Sequence, residues 1–476
     1  MVHSQRNLFL FDKPSAIMRK CKGISGNKNE RGITSMKNLT EGNIKKQLIS
    51  FSIPIILGNI FQLTYNAVDS IIVGRFIGKD ALAAVGTANP IMNIVILGIT
   101  GICIGASVLM SSLFGAGKYE DLKKELSTTL IFGAFFSVIV AGLGMLCSEG
   151  LLRMMKVPRD ILRDSTIYLK IIFLGMPFTY LYNAFASALR SVGDSKTPIL
   201  FLGFASVLNG VLDIIFIAGF GYGIVTSALT TIIAEAISAL LCVIYVNRKV
   251  LLLQLKRTEL KFDRILFKET IKHGSVTALQ QSCQPIGKLF IQSAINPLGV
   301  DMMAAFNAVN RVDDFAFTPE QSIASAMMTF VAQNRGAGKK ERMRKGLSNG
   351  LFVEVLYWSI ICIVITLFKT PIMRLFVSGE EKVLINAGTT YLGYMAFFYL
   401  LPAFTNGLQG FFRGMGDMKI TLVGTLTQIS LRVLFVFILV PKVGLVGVAF
   451  ASLIGWIGML LVEIPYSRRY LTEKEG

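Results

Sequence analysis

Charged residues are scarce in this sequence. Asp, Glu, Lys and Arg together make up 16% of its 476 residues, whereas soluble domains contain about 25%. Hydrophobic residues reach 53%, and the mean hydropathy is +0.60. This balance excludes a soluble globular enzyme. The sequence instead offers many runs of about 20 mostly apolar residues, the length that spans a bilayer as a helix.

Side chains that bind metals or carry redox chemistry are also few. The two histidines, His3 and His273, are too few for an imidazole-based metal site. The six cysteines are scattered without a CxxC pair, and five of them lie in or beside apolar runs. Cysteine in such a run behaves as a small hydrophobic residue. We therefore expect neither a metal site nor a cofactor.

A nucleotide-binding loop is missing as well, although two GAGK motifs, at 115–118 and 336–339, look like part of one. In a P-loop the lysine is followed by Ser or Thr, but here Tyr119 and Lys340 follow. Each motif comes just after an apolar run, which is typical of a helix C-cap with a basic end. ATP hydrolysis is thus excluded, and any transport would depend on an ion gradient.

Twelve apolar runs predict an all-α membrane protein with twelve transmembrane helices. The predicted spans are 48–73, 90–113, 128–147, 167–189, 198–218, 223–246, 271–295, 303–333, 351–368, 390–412, 420–440 and 444–463.

Basic residues set the predicted orientation. The net charge is +19, but Lys and Arg lie in short segments between apolar runs, which argues against nucleic-acid binding. With the N-terminus inside, the inside segments hold 33 Lys and Arg and the outside segments hold 10. Cytoplasmic loops carry such an excess, so both termini should be cytoplasmic in a multi-pass protein of the plasma or inner membrane.

An internal repeat divides the chain into two halves. The GAGK motifs lie 221 residues apart, and Gly78–Ala84 aligns with Gly299–Ala305 at the same offset. Arg190–Lys196 aligns with Arg413–Lys419 at an offset of 223. Each half has six predicted spans, and an even number gives both halves the same orientation in the membrane. The substrate path is expected between such parallel repeats.

The repeat predicts an N-lobe at 36–246, a cytoplasmic linker at 247–270 and a C-lobe at 271–476. The polar, basic segment 1–35 is expected to be either a disordered cytoplasmic leader or a stretch upstream of a functional start at Met36.

Acidic residues inside the predicted spans carry the functional signal, because an ionisable group in a membrane is costly and usually faces a cavity or a partner. Asp69 and Asp213 lie deep in apolar runs. Asn209 precedes Asp213 by one helical turn, and Thr231 with Glu235 forms a polar stripe on helix 6. These stripes could converge in the N-lobe. The side chains close to Asp69 on helix 1 are Gln62, Tyr65 and Asn66.

Two further groups of acidic residues remain open to two interpretations. Asp313, Asp314 and Glu320, with Arg311, form either an internal ion pair or an acidic wall for cationic substrates. Glu235 and Glu354 lie nearer to helix ends, where their carboxylates either serve a cavity or reach the membrane interface.

A buried carboxylate can couple an ion to a cargo. An apolar pocket disfavours the ionised form, and binding of a proton or sodium ion removes the negative charge and changes the local hydrogen bonds. A helix packing with two states can then be biased by the ion.

The combination of these motifs resembles multidrug and toxic compound extrusion (MATE) transporters. The resemblance rests on the helix 1 run from Pro54 to Asp69, on Gly78–Ala84 with the paired GAGK motifs, on Arg190–Asp194 and on Asn209–Asp213. It covers essentially all of 36–470 and implies a V-shaped, two-lobe protein. Such transporters export cationic, amphipathic compounds in exchange for protons or sodium ions.

The resemblance also implies site residues. Asp69 matches the helix 1 aspartate of the family, Asn209 and Asp213 match the helix 5 Asn-x-x-x-Asp of the DinF-like branch, and Thr231 matches its helix 6 threonine. The C-lobe departs from the NorM-like branch, since Gln280 or Gln281 stands at its helix 7 glutamate and Asn406 at its helix 10 aspartate. The coupling ion, H⁺ or Na⁺, is therefore expected in the N-lobe, and the other polar residues are candidates for the substrate cavity.

Two other functions stay open at this point. A lipid-linked oligosaccharide flippase of the same superfamily would favour a basic cavity. Apart from Glu463 at the very end of the last span, the ionisable residues within the spans are instead seven acidic and five basic. An intramembrane prenyltransferase would need paired motifs such as DDxxD to hold magnesium and diphosphate, and Asp313-Asp314 lacks the further aspartate. The leading expectation is a monomeric antiporter of organic cations in the lipid bilayer, and not an enzyme.

Overall fold

A computed structural model describes residues 36–375 and 382–472 of the protein. The predicted leader 1–35 and the last four residues of the predicted C-lobe lie outside the described residues. The helices in the described ranges are α1 Ile44–Ile72, α2 Lys79–Gly115, α3 Tyr119–Met154, α4 Arg159–Ser191, α5 Lys196–Asp213, α6 Ile224–Lys249, α7 Arg264–Ile295, α8 Val300–Gly336, α9 Lys340–Arg374, α10 Lys382–Phe398, α11 Leu400–Met415, α12 Met418–Val443 and α13 Val446–Thr472.

Most of these helices are long and apolar enough to cross a membrane. Within the described residues, nine helices are long and apolar enough on their own, and α10 with α11 forms one further such span, bent by 44°. The remaining two, α7 and α8, contain 32 and 37 residues. At about 1.5 Å per residue both exceed the roughly 30 Å thickness of the hydrocarbon core. Together these elements make the twelve expected spans.

The bend between α10 and α11 has a local cause. Pro402 has no N–H to donate to the carbonyl of Phe398, and its ring crowds that carbonyl. Tyr399 lies at the break, and its backbone carbonyl accepts from the Ala403 N–H at 3.1 Å. The predicted span 390–412 is therefore two helices in one crossing.

Packing within the two halves follows the repeat. In the first half α2 packs on α4, α5 on α6, and α1 on α5; in the second half α8 packs on α11, α12 on α13, and α7 on α12. The first helix of each half also contacts the other half: α1 packs against α8, and α7 packs against α2. The result is two six-span lobes joined by crossed helices.

The two GAGK motifs meet where the lobes touch. Helix α2 ends at Gly115 and α8 ends at Gly336, and both are followed by a glycine with positive φ, as the C-cap interpretation predicts. A Cβ added to Gly115 would lie 1.9 Å from the Gln333 carbonyl oxygen, and one added to Gly336 would lie 1.8 Å from that of Ser112. The absence of side chains at these positions lets the helix ends come together.

Contact between the lobes is concentrated toward this end of the molecule, which we call the GAGK side. Added Cβ atoms at Gly101 and Gly105 of α2 would collide with the backbone of α7. At Gly98 and Gly86, farther from the GAGK motif on the same helix, a Cβ would meet open space. Along α2, the contact with α7 therefore lies in the half near the GAGK side.

The segment between the lobes lies along α3. Ser127 Oγ donates to the Lys261 carbonyl at 2.9 Å, and Thr128 Oγ1 accepts from the Asp263 N–H at 3.0 Å. Glu259 accepts from the Lys256 N–H and from Lys123 Nζ, and these contacts lower the pKa of its carboxyl below the usual range. The connection is thus fixed to the N-lobe on the GAGK side.

Candidate functional site

Asp69 and Asp213 both lie next to a π-helical turn. Asp69 is in the last turn of α1, just before the π segment Val73–Ile77, and Asp213 is the last residue of α5, before the π segment Ile214–Gly219. The two π segments touch each other. Such turns insert a residue into a helix and are frequent at functional sites. Here they bring together two carboxylates that are far apart in the sequence.

The carboxylate of Asp213 is held by two donors. Asn209 Nδ2, one turn earlier on α5, donates to Oδ2 at 3.0 Å, and the Thr230 hydroxyl from α6 donates to Oδ1. Asp213 is fully buried, with an exposed fraction of 0%. A buried carboxylate is tolerated where donors surround it, and these two fix the position of Asp213.

Asp69 approaches Asp213 from α1. The two carboxyl groups are close enough to share a hydrogen bond. Asp69 Oδ1 is buried and has no donor among the described residues. Ionised carboxylates only accept hydrogen bonds, so two of them in contact require a proton or another cation between them. This pair is the centre of the candidate site.

Aromatic and acidic side chains surround the pair. Tyr65 of α1 and Tyr168 of α4 lie within electrostatic range of Asp69, Asp213 and Glu235. The Thr179 hydroxyl of α4 donates to Glu235 Oε2, so Glu235 faces a partner inside the lobe. Two other predicted residues of α1, Gln62 and Asn66, have exposed side chains.

The threonine that contacts Asp213 is Thr230 and not Thr231. The Thr231 hydroxyl donates to the Ser227 carbonyl of its own helix at 2.9 Å. The resemblance assigned Thr231 to this role, whereas in the structure its neighbour Thr230 makes the contact with Asp213. Neighbouring positions on a helix point about 100° apart, and an apolar run containing two adjacent threonines gives no signal to choose between them.

The predicted C-lobe residues do not form one site. Gln280 is buried and donates to Gln409 Oε1 at 3.0 Å and to Thr425 Oγ1 at 2.8 Å, while Arg413 donates back to its Oε1 at 3.1 Å. Gln280 is thus part of a polar network that ties α7, α11 and α12 together. Gln281 is half-buried and takes no part in these bonds.

The three acidic residues of α8 that were predicted as candidates have separate partners. Asp313 accepts from the Tyr399 hydroxyl at the α10–α11 break. Asp314 pairs with Lys288 Nζ of α7 at 3.4 Å, and both side chains are exposed. This ion pair involves Lys288 and not Arg311, and it is not internal. Glu320 accepts from Asn406 Nδ2 at 3.2 Å.

The comparisons with known proteins agree with this architecture. A family model described as MatE matches residues 54–215 and again 277–438, so the second match begins 223 residues after the first. The chain belongs to the MATE family. Members of this family are transporters and not enzymes, which removes the prenyltransferase interpretation.

Relatives of this MATE protein occur in Bacillus subtilis strain 168. It is 31% identical to the probable multidrug resistance protein YpnP over 81% of this chain and 86% of YpnP. It is 30% identical to the probable multidrug resistance protein YoeA over 72% of this chain and 76% of YoeA. A solved structure of a MATE transporter of the MOP superfamily in an outward-facing conformation superposes with a TM-score of 0.86. It is 24% identical and covers 93% of this chain and 99% of that one. The fold of the MATE transporters is therefore shared along nearly the whole chain.

Several side chains of this MATE protein escaped the sequence analysis. Thr179 and Tyr168 join the N-lobe site from α4, a helix without an acidic residue in its predicted span. Glu463 is fully buried and lies within electrostatic range of Arg413. It is the last residue of a predicted span and was therefore not counted among the acidic residues inside the spans. A sequence shows which residues are polar, and helix rotation decides which of them meet.

Proposed function

We propose that this MATE transporter exports small organic cations in exchange for a proton or a sodium ion that binds between Asp69 and Asp213. The observation that carries the proposal is the contact between these two carboxyl groups, which have two neutral donors on Asp213 and no donor on Asp69 Oδ1. The names of the Bacillus subtilis relatives support an efflux function.

The ion acts by changing the charge of the pair. Without a bound ion the two carboxylates repel each other at close range in a medium of low dielectric constant. A proton or sodium ion removes this repulsion and stabilises the packing of α1 against α5. Ion binding thus favours one arrangement of the N-lobe, and ion release favours the other, which is the condition for coupling to a cargo.

The organic cation is expected between the lobes, away from the GAGK side. Exposed polar residues of α1, Gln62 and Asn66, face away from the lobe interior and are candidates for contact with it. The excess of Lys and Arg assigns the GAGK side, and with it both termini, to the cytoplasm. A cleft on the opposite side opens outward, as export requires. We expect the single chain to be the working unit.

Reconstituted protein tests the coupling directly. Proteoliposomes are loaded with a fluorescent organic cation, and an inward or outward pH or sodium gradient is imposed in separate arms. We expect Asp69→Asn to reduce gradient-driven transport at least tenfold, because the amide neither binds a proton nor offers a negative charge to sodium. The matched control is Asp164→Asn, which neutralises an exposed aspartate of α4 and should leave transport unchanged.

The pH and sodium arms tell the two ions apart. Full transport by a folded Asp69→Asn protein would overturn the assignment of the coupling site. If neither gradient drives any organic cation in the wild type, export of cations is the wrong function, and the flippase interpretation gains support.

A further inference from the structure

A second pair of buried carboxyl groups lies in the C-lobe. Glu320 of α8 and Glu354 of α9 have exposed fractions of 1% and 0%. Asn406 Nδ2 donates to Glu320 Oε2 at 3.2 Å, and a Cβ built on the next residue, Gly407, would lie 3.7 Å from Glu354 Cγ. The two glutamates therefore lie beside consecutive residues of α11 and are near enough to each other to interact electrostatically.

Glu354 lacks any partner that would stabilise its negative charge. Neither of its oxygens has a hydrogen-bond donor among the described residues. The ion pairs in the described ranges include neither glutamate. An ionised carboxylate buried without donors costs several kcal/mol. The geometry thus calls for a positive species at this position.

The groups that face the pair do not supply one. Tyr357 of α9 and Tyr399 at the α10–α11 break are the other titratable side chains within range. Their hydroxyl protons are directed elsewhere, to the Ala316 carbonyl at 3.1 Å and to Asp313 respectively. From α1, Asn59 donates to Ser322 Oγ at 3.0 Å. Lys288 and Arg432 interact electrostatically with Asp313, and no Lys or Arg is among the groups that interact with Glu320 or Glu354.

A proton fits this site better than a metal ion. A protonated Glu354 has a donor to offer, and the ionised Glu320 beside it is an acceptor. A sodium or calcium ion needs several oxygen ligands, and the described residues contain no group of three or more His, Cys, Asp or Glu side chains able to hold a metal.

We propose that Glu320 and Glu354 form a second proton-binding site, in the C-lobe, which takes up and releases a proton in each transport cycle. The site is not a repeat of the N-lobe pair. The offsets of 221 to 223 carry Asp69 onto the segment 290–292, which holds no acidic residue. This inference rests on the proposed ion-coupled export and adds a second ion to it.

Infrared spectroscopy of the full chain in lipid tests the site without transport. At neutral pH and without sodium, the absorption of protonated carboxyl groups is compared between wild type and Glu354→Gln. We expect the variant to lose one such band, since glutamine has the same shape and no carboxyl. Glu341→Gln on the same helix is the control. Glu341 is exposed and pairs with Lys345, so its removal should leave the bands of protonated carboxyl groups unchanged.

A second measurement connects the site with the cycle. We expect Glu354→Gln to remove one of the protons moved per organic cation, with the Asp69–Asp213 pair still active. Retention of every protonated-carboxyl band in Glu354→Gln, or loss of the wild-type band on addition of sodium alone, would overturn the proposal. If Glu354→Gln does not fold, Glu320→Gln removes the pair from the α8 side and is judged by the same band.

The outcomes also separate this inference from the proposed function. Failure of Asp69→Asn to affect transport contradicts the N-lobe assignment and leaves the C-lobe band as it was. An unchanged band in Glu354→Gln contradicts the C-lobe site and leaves cation export intact.

Discussion

At the scale of single residues, the hydrogen bond from the Thr230 hydroxyl to Asp213 distinguishes the N-lobe site from an ordinary polar stripe on a helix. It donates to Asp213 Oδ1, whereas the hydroxyl of Thr231 donates to its own helix backbone. We expect Thr230→Val to weaken gradient-driven transport about tenfold, because a hydrogen bond to a charged group contributes about 1.5–3 kcal/mol. Initial rates in proteoliposomes measure the effect.

Thr231→Val is the matched control for this prediction. It makes the same chemical change one residue further along α6, at a half-buried position, and should change the rate less than twofold. Equal effects of the two substitutions would mean that Thr230 acts through helix packing and not through Asp213.

Single residues also mark the limit of sequence reasoning. Asp69, Asn209 and Asp213 were identified because a carboxylate deep in an apolar run is unusual. Thr230 was not identified, since its role depends on the rotation of α6 relative to α5. The burial of Glu354 among groups that offer no donor likewise depends on the packing of three helices, α8, α9 and α11. No local sequence pattern predicts it.

At the scale of helices, the GAGK motif is an adaptation for close packing. Helices α2 and α8 end in glycines at which an added Cβ would overlap the backbone of the opposite lobe. We expect Gly115→Ala to destabilise the protein by about 1–3 kcal/mol, because the new methyl group would overlap the Gln333 carbonyl and force the helix ends apart. Thermal unfolding in detergent measures the change.

Gly142→Ala makes the same substitution on α3 and serves as its control. A Cβ there meets no atom within 4 Å, and alanine favours a helix over glycine by up to about 1 kcal/mol. The control should be neutral or slightly stabilising. A Gly115→Ala protein as stable as the wild type would show that the lobes do not pack in this way on the GAGK side.

The helices themselves were largely predictable. Apolar runs of membrane length placed all twelve spans, and the comparisons confirm the two-lobe MATE fold. The helix ends were less predictable. The predicted start of the second span was residue 90, but α2 begins 11 residues earlier, at Lys79, and continues through Pro90. The π turns after Asp69 and Asp213 have no sequence signal of their own, because they arise where one extra residue is accommodated by packing.

At the scale of the whole molecule, the two lobes share a packing plan and differ in chemistry. The repeat reproduces helix contacts from α1 to α13, but Asp69 and Asp213 have no acidic counterparts in the second half. The C-lobe instead holds its buried carboxyl pair on α8 and α9. Helix packing depends on size and shape, which tolerate many side chains, so the plan persists while the ionisable groups diverge.

We propose that the lobes move apart on the GAGK side during each cycle of the proposed export. A Cβ on Gly336 would lie 3.0 Å from the Ala116 backbone nitrogen, so the two motifs are adjacent across the lobe boundary. In a background without native cysteines, Ala116→Cys and Ala337→Cys provide two thiols for a short bifunctional reagent. We expect this cross-link to reduce transport of the fluorescent cation at least tenfold, and a cleavable reagent should restore it on reduction.

Two controls separate the effect of joining the lobes from the effects of the reagent and of cross-linking itself. Each single-cysteine variant treated with the same reagent should keep its transport rate. A cross-link between Lys123→Cys and Glu259→Cys joins α3 to the segment it already contacts at 3.3 Å, and it should have little effect because both positions lie on the N-lobe side. Undiminished transport with the GAGK motifs cross-linked would mean that the lobes stay together on this side, and the cargo would need a path within one lobe.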